Sequence, residues 1–350
     1  MHRREAGRLS ARDACRFVRE VYSLDAAEAA PIPGARHEVW HVRGIFGSFV
    51  FKRFPADARA SAEREPDLAT LLRAAQVPTA AFVRANDGSF VTDCHGQPAH
   101  LQTFIEGTTP NQNEAPPWLL DQSAEMLGRL CRALSGVRGL PHGFPKPWFT
   151  FDLKRKMLEY DALIIATSRN RRLSATQKRE IAADLAYKRA TLTEIAGIRL
   201  SRRTFTCGPT HGDYSVRQLV CSADQISAVV DFSAACRQPL MWEVLRSYSY
   251  ADPACTEGAL ELDALGRYVS AFLSFMPLTR KDLLHAADLY YVQLVRSTYG
   301  YRQVLLEGNT RPDLLTFARW RTQLCRWMQE HRSKVKEALA ELAPAPRAAR

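Results

Sequence analysis

The sequence predicts an α+β chain in two unequal parts: a small β-rich part over residues 1–106 and a larger, mostly helical part over 107–350. Three observations carry this expectation. Between His37 and Gly107 apolar residues alternate with period two, broken by Gly44, Gly47 and the turn Asn86-Asp87-Gly88. From Leu120 onward they recur mainly at helical spacing. One β-branched block, Ile226 to Val230, interrupts the helical part just after a short polar loop.

In chain order, residues 11 to 30 read as a helix with Val18, Val21, Tyr22 and Leu24 on one side, ending before Pro31 and Pro33. His37 to Val42 and Ser48 to Phe54 then alternate around Gly44 to Gly47, an antiparallel hairpin. A helix follows, with Glu65 at its N-terminal end and Pro66 in its first turn, where a carboxylate and a proline are both favoured. Ala81 to Arg84 and Ser89 to Thr92, joined by the Asn86-Asp87-Gly88 turn, and a third strand, His100 to Ile105, complete five strands. Leu120, Ala124, Leu127, Cys131 and Leu134 mark the next helix, and further helical patterns cover 153–166, 176–195, 283–306 and 314–342. The last carries Leu324, Met328, Val335 and Leu339 on one face, which packs on the lobe.

Composition sets bounds on function. The 350 residues suffice for two lobes that each bury a core, and 46% hydrophobic with 24% charged residues is an ordinary globular balance. The net charge of +11 reads as an arginine-rich surface with a basic tail at Pro344 to Arg350. No aromatic-interleaved basic motif or zinc module accompanies it, so nucleic acid is not an expected partner. The eight cysteines include no C-x-x-C pair, which argues against a metal site or disulfide framework and for a reducing, cytoplasmic compartment. No apolar run has the length of a signal peptide core or a membrane span, so no membrane partner is expected either. Nothing in the sequence fixes an oligomeric state.

The chemistry concentrates in Thr210 to Val220 and Ile226 to Phe232. There a carboxylate (Asp213) stands on a tight loop, an amide (Gln218) follows five residues later, and a second carboxylate (Asp231) ends an apolar strand. One acid beside an attacking hydroxyl, with an amide and an acid converging on magnesium, is the layout of a phosphoryl-transfer site.

These residues resemble the aminoglycoside phosphotransferase and choline kinase family of small-molecule kinases, whose pattern is H-G-D-x-x-x-x-N, a strand ending in I-D-F, then a proline and an acid. Here the pattern is His211-Gly212-Asp213, Gln218 in place of Asn, Val229-Val230-Asp231-Phe232, Pro239 and Glu243 in place of Asp. The resemblance implies a protein-kinase-like fold with a small ATP-binding lobe and a larger helical lobe. It also implies transfer of the ATP γ-phosphate, with Mg2+, to a hydroxyl of a small molecule, a metabolite or an antibiotic. Asp213 then orients the hydroxyl, Asp231 and Gln218 hold the metal, and His211 and Glu243 brace the loop. By the same resemblance Lys52 reaches the phosphates and pairs with a helix glutamate, Glu65, with Glu63 and Asp67 as competitors. Gly34 approaches a phosphate, and Gln102, Thr103, Phe104 and Ile105 hold the adenine through main-chain groups. Gln218 adds a methylene to the family's amide, and metal sites tolerate little displacement. That departure keeps open an alternative, a catalytically impaired kinase-like binding or scaffold protein.

Overall fold

The computed structural model describes residues 9–32, 37–143 and 152–343. Helix α1 (Ala11–Tyr22) opens with a capping box: the Ser10 hydroxyl accepts the Asp13 amide at 3.2 Å, and the Asp13 carboxylate accepts the Ser10 amide at 3.3 Å. It ends at Ser23, which takes a left-handed φ of 52°. The helix expected to reach residue 30 therefore stops early, and Glu28–Pro31 forms strand β1, antiparallel to β2 (Glu38–Gly44). Ala29 and Ala30 have no preference for a strand. Pairing supplies it: the Arg43 carbonyl accepts the Ala27 amide and the Val39 carbonyl the Ile32 amide, each at 2.8 Å.

Strand β3 (Gly47–Arg53) closes the expected hairpin with β2. Helix α2 (Arg59–Ala74) follows, then β4 (Phe82–Val83), β5 (Val91–Cys94) and β6 (Gln97–Thr103). The sheet runs β1-β2-β3-β6-β4 with β5 also on β6, six strands where the sequence suggested five. The Asn86-Asp87-Gly88 turn does not join a paired hairpin, because β4 and β5 each pair with β6 instead. Strand alternation divides the sheet faces. Trp40, Val42, Phe51 and Leu101 form one buried cluster with Ala14, Cys15, Val18 and Tyr22 of α1. Lys52 and His100, directly opposed on β3 and β6, point the other way, toward α2.

Helix α2 corrects a second expectation. It begins at Arg59 and runs through Pro66, so Glu65 lies in its second turn, buried, rather than at its start. Pro66 forfeits one helical hydrogen bond there.

The second lobe contains α3 (Pro117–Leu134), α4 (Leu153–Arg169) and α5 (Ala175–Ala196), then two β ribbons. Strands β7 (Cys207–Thr210) and β10 (Cys236–Pro239) make one; β8 (Leu219–Ser222) and β9 (Gln225–Val229) make the other. Helices α6 (Leu240–Ala251), α7 (Leu262–Phe275), α8 (Arg280–Arg296), α9 (Tyr301–Leu305) and α10 (Asp313–Glu341) complete it. The helix expected over 283–306 breaks between α8 and α9, where Gly300 adopts φ +89° and a Cβ would lie 2.4 Å from the Leu314 carbonyl oxygen. The apolar face of α10 is buried as expected, with Leu324, Met328, Val335 and Leu339 inaccessible. Among the described residues no helix is long and apolar enough to cross a membrane, and no cysteine is in a disulfide.

Candidate active site

The two β ribbons carry the site. Strand β7 delivers the chain to His211-Gly212-Asp213, a 3-10 turn at Val216–Gln218 returns it to β8, and β9 leads to Asp231. Gly212 has φ +82°, and a Cβ there would stand 1.9 Å from the Ala234 carbonyl oxygen, so the turn admits only glycine without a shift. Asp231 also sits in the left-handed region, at φ 64°, and its carboxylate accepts from the Ser233 hydroxyl at 2.6 Å.

Two hydrogen bonds lace the loop to the strand. The Val230 amide donates to the Gln218 carbonyl at 2.9 Å, and His211 Nε2 donates to the Val230 carbonyl at 2.9 Å. A carbonyl only accepts, so Nε2 carries the proton and Nδ1 is free to accept the Asp213 amide at 3.3 Å. Gln218 and Asp231 are thus brought side by side by backbone pairing. The Gln218 amide group has no partner among the described residues, and Asp231 Oδ2 has none either. A free carboxylate oxygen on Asp231 and a free amide on Gln218, in turns joined by one backbone hydrogen bond, suit a hard cation that takes one or two protein oxygens and phosphate for the rest. The residues present fit magnesium in that sense.

From the other lobe Lys52 reaches across. Its Nζ lies 2.9 Å from Glu65 Oε1 and 2.6 Å from Asp231 Oδ1. Burial alone would lower the Lys52 pKa, but the two carboxylates reverse this and hold it above the ordinary lysine range. Burial likewise opposes the charge on Asp231, yet Lys52 and the Ser233 hydroxyl outweigh it and hold that carboxyl well below the usual range. Glu65 is therefore the helix glutamate that meets Lys52; Glu63 instead pairs with Arg59 on the surface.

At the lobe junction, the Thr103 amide donates to the Ala81 carbonyl at 2.8 Å and the Phe104 amide to the Ser48 carbonyl at 3.0 Å. Gln102 is paired within β6 to Val50 and Phe82. Ile105, past the end of β6, keeps an amide without a partner among the described residues. Gly34 lies outside the described residues.

Three side chains of the site escaped sequence reasoning. His100 Nε2 donates to Glu65 Oε2 at 2.7 Å, giving that carboxylate a second anchor; burial pushes the imidazole's pKa down. Asp231 caps the turn it opens by accepting the Ser233 amide at 3.4 Å, and the place of Ser233 two residues on is a signal that could have found it. Arg246 pairs with the Asp213 carboxylate and donates to the Tyr214 carbonyl at 2.9 Å. Its signal was the spacing Glu243 to Arg246, one helical turn. Glu243 is buried, which raises its pKa, and it accepts the Tyr214 amide at 3.0 Å.

Residues 28–274, well over half of the chain, match the APH phosphotransferase enzyme family. The chain belongs to that family. It is therefore a phosphotransferase that acts on a hydroxyl group of a small molecule. Among curated proteins none matches the chain by sequence. Solved structures share its two-lobed α+β fold at low identity. An amicoumacin kinase, hAmiN, in complex with AMP-PNP, Ca2+ and Ami has a TM-score of 0.61 at 11% identity, over 98% of this chain and 98% of that one. A microcompartment-associated aminopropanol kinase gives 0.61 at 14%, over 94% and 100%. An aminoglycoside phosphotransferase from Alicyclobacillus acidocaldarius gives 0.59 at 15%, over 96% and 99%.

Proposed function

We propose that this family member transfers the γ-phosphate of ATP to the hydroxyl of a small, non-polycationic molecule. The observation that carries the reading is the contact of Lys52 with both Glu65 and Asp231, which joins the two lobes across the cleft beside the Asp213 loop. Structures of the same fold hold AMP-PNP or ADP, in support of a nucleotide donor. In this reading the purine meets the main chain beyond β6 through the free amide of Ile105, Lys52 meets phosphate oxygens, and Asp231 with Gln218 would hold magnesium. The metal would supply charge neutralisation at the phosphates. Asp213 orients the acceptor: its oxygen bonds to the γ-phosphorus as the bond to the β,γ-bridging oxygen breaks, the electron pair leaves on ADP, and the hydroxyl proton passes to the carboxylate. The cation Arg246 beside Asp213 and the net charge of +11 favour a neutral or anionic acceptor over a polycation.

The test is a thermal-melt titration with ATP, with and without magnesium, on the wild type, Asp213→Asn and Asp231→Asn, alongside an assay of ADP release. Nucleotide at about a hundred times its Kd adds about 2.7 kcal/mol of stability. Asp213→Asn keeps the magnesium-dependent shift and loses transfer; Asp231→Asn loses the magnesium-dependent part of the shift. No shift in the wild type, or equal loss of it in both variants, refutes the assignment.

A further inference from the structure

Helix α6 grips the catalytic loop with two side chains one turn apart. Glu243 accepts the Tyr214 amide at 3.0 Å, and Arg246 Nη1 donates to the carbonyl of the same residue at 2.9 Å. Arg246 Nη2 then continues to the Asp213 carboxylate. The guanidinium lies over the Tyr250 ring, 4.5 Å from its centroid, and 5.7 Å from that of Trp242. Tyr250 is itself wedged edge-on against Phe317 and Trp320, at 5.6 Å and 5.2 Å, so the platform beneath the guanidinium is fixed.

The loop backbone does not need the bond to Asp213. The Asp213 amide is already taken by His211 Nδ1, and both polar groups of the Tyr214 main chain are taken from α6. What that bond fixes is the carboxylate: Arg246 is its side-chain partner, and the Asp213 side chain is otherwise 49% exposed while that of Arg246 is only 14% exposed. An aspartate on a loop with half its surface in solvent has free rotamers, and ordering them in advance removes an entropic barrier from the chemical step. A planar guanidinium meets a carboxylate and a carbonyl at once with its donors held in a fixed fork, which a freely rotating ammonium does not offer.

We propose, resting on the transfer reading above, that Arg246 is a positioning residue. Braced on Tyr250, it holds the Asp213 carboxylate in the orientation that receives the acceptor hydroxyl, with one oxygen engaged and the other presented to the cleft.

The test uses the full chain with Mg-ATP as donor and water as the acceptor, comparing wild type, Arg246→Ala and Arg246→Lys with and without added ethylguanidinium. Three quantities are read: ATP turnover, the Kd for Mg-ATP, and side-chain order at Asp213 by NMR relaxation. A misplaced carboxylate costs about 100-fold in turnover, so Arg246→Ala falls by about that factor while its Kd stays within about threefold. Ethylguanidinium recovers at least about tenfold of the loss, and Arg246→Lys falls between the two, since an ammonium lacks the fork. Unchanged turnover in Arg246→Ala overturns the proposal. So does a loss of turnover matched by an equal loss of nucleotide affinity and untouched by ethylguanidinium. If the wild type binds no Mg-ATP, the transfer reading fails; if it binds Mg-ATP and hydrolyses none, water is not an acceptor; in both cases side-chain order at Asp213 decides the positioning role by itself. The positioning role stands if NMR relaxation of the 13C-labelled Asp213 side chain shows it gaining rotamer freedom in Arg246→Ala and losing it again with ethylguanidinium, and falls if its order is unchanged.

Discussion

Replacing Lys52 by Met removes an ammonium that bridges the lobes and leaves its stem in place. In the structure Lys52 is 4% exposed and its Nζ is 2.9 Å from Glu65 and 2.6 Å from Asp231. Glu65 is 2% exposed, so it has no water to replace the lost partner, and His100 alone still donates to it. Breaking a buried ion pair by deleting one partner costs about 3–5 kcal/mol, most of it the penalty of an uncompensated charge. Taking the lower bound, opening of α2 becomes easier by about 3 kcal/mol, or roughly 150-fold in amide exchange there. Chemical denaturation should show the same loss. The decisive comparison is the double-mutant cycle with Glu65→Gln: once the carboxylate is neutral, Lys52→Met is far less damaging, and the coupling energy is at least about 1 kcal/mol. A Lys52→Met chain within about 0.5 kcal/mol of wild type, or strictly additive effects in the cycle, refutes the reasoning.

Two further predictions concern the helical lobe and the catalytic turn. Gly212→Ala combines a left-handed φ with a Cβ 1.9 Å from the Ala234 carbonyl oxygen; melting and nucleotide titration should show a loss of about 2–4 kcal/mol with binding impaired, and a wild-type melting curve would contradict this. Lys188 is 2% exposed, and burial pushes its pKa down to about 7, while its Nζ donates to the Ser297 carbonyl at 2.6 Å. Because the folded pKa lies below the unfolded one, the unfolded chain holds the extra proton between about pH 7 and 10.4, so stability rises with pH through that window and the penalty is fully present below it. Lys188→Met should thus be more stable than wild type at pH 6, by up to about 4 kcal/mol, and less stable by about 1 kcal/mol near pH 10 for want of the hydrogen bond. Parallel stability–pH curves for the two proteins would exclude this account.

Much of the site was legible in the sequence because its residues are set by local chemistry. A glycine is forced at 212 by a turn, an aspartate beside it is a carboxylate wherever the loop lies, and an apolar strand before Asp231 announces its own type by composition. Lys52 was readable from its place on the second strand of the hairpin together with the family resemblance. The elements that were misread are those whose state is decided from far away. Ala29 and Ala30 carry helical propensity and became a strand because β2 offered partners; Pro66 suggested a first turn, yet a helix packed across the sheet absorbed the lost hydrogen bond. Residues 283–306 kept helical spacing, but the close approach of Gly300 to Leu314 of α10 required a break.

The sequence by itself determined the order of the chemical groups and the class of most elements, since helical and strand periods are properties of neighbouring residues. The tertiary structure decided which groups meet. Lys52 and Asp231 are 179 residues apart and touch at 2.6 Å. His100 reaches Glu65 through the cross-strand register of β3 and β6, and Arg246 reaches Asp213 because α6 returns along the loop it follows. No local period encodes such contacts. They follow from burying two apolar cores on either side of a cleft, which leaves the charged side chains at the junction to pair with one another and with nearby polar groups.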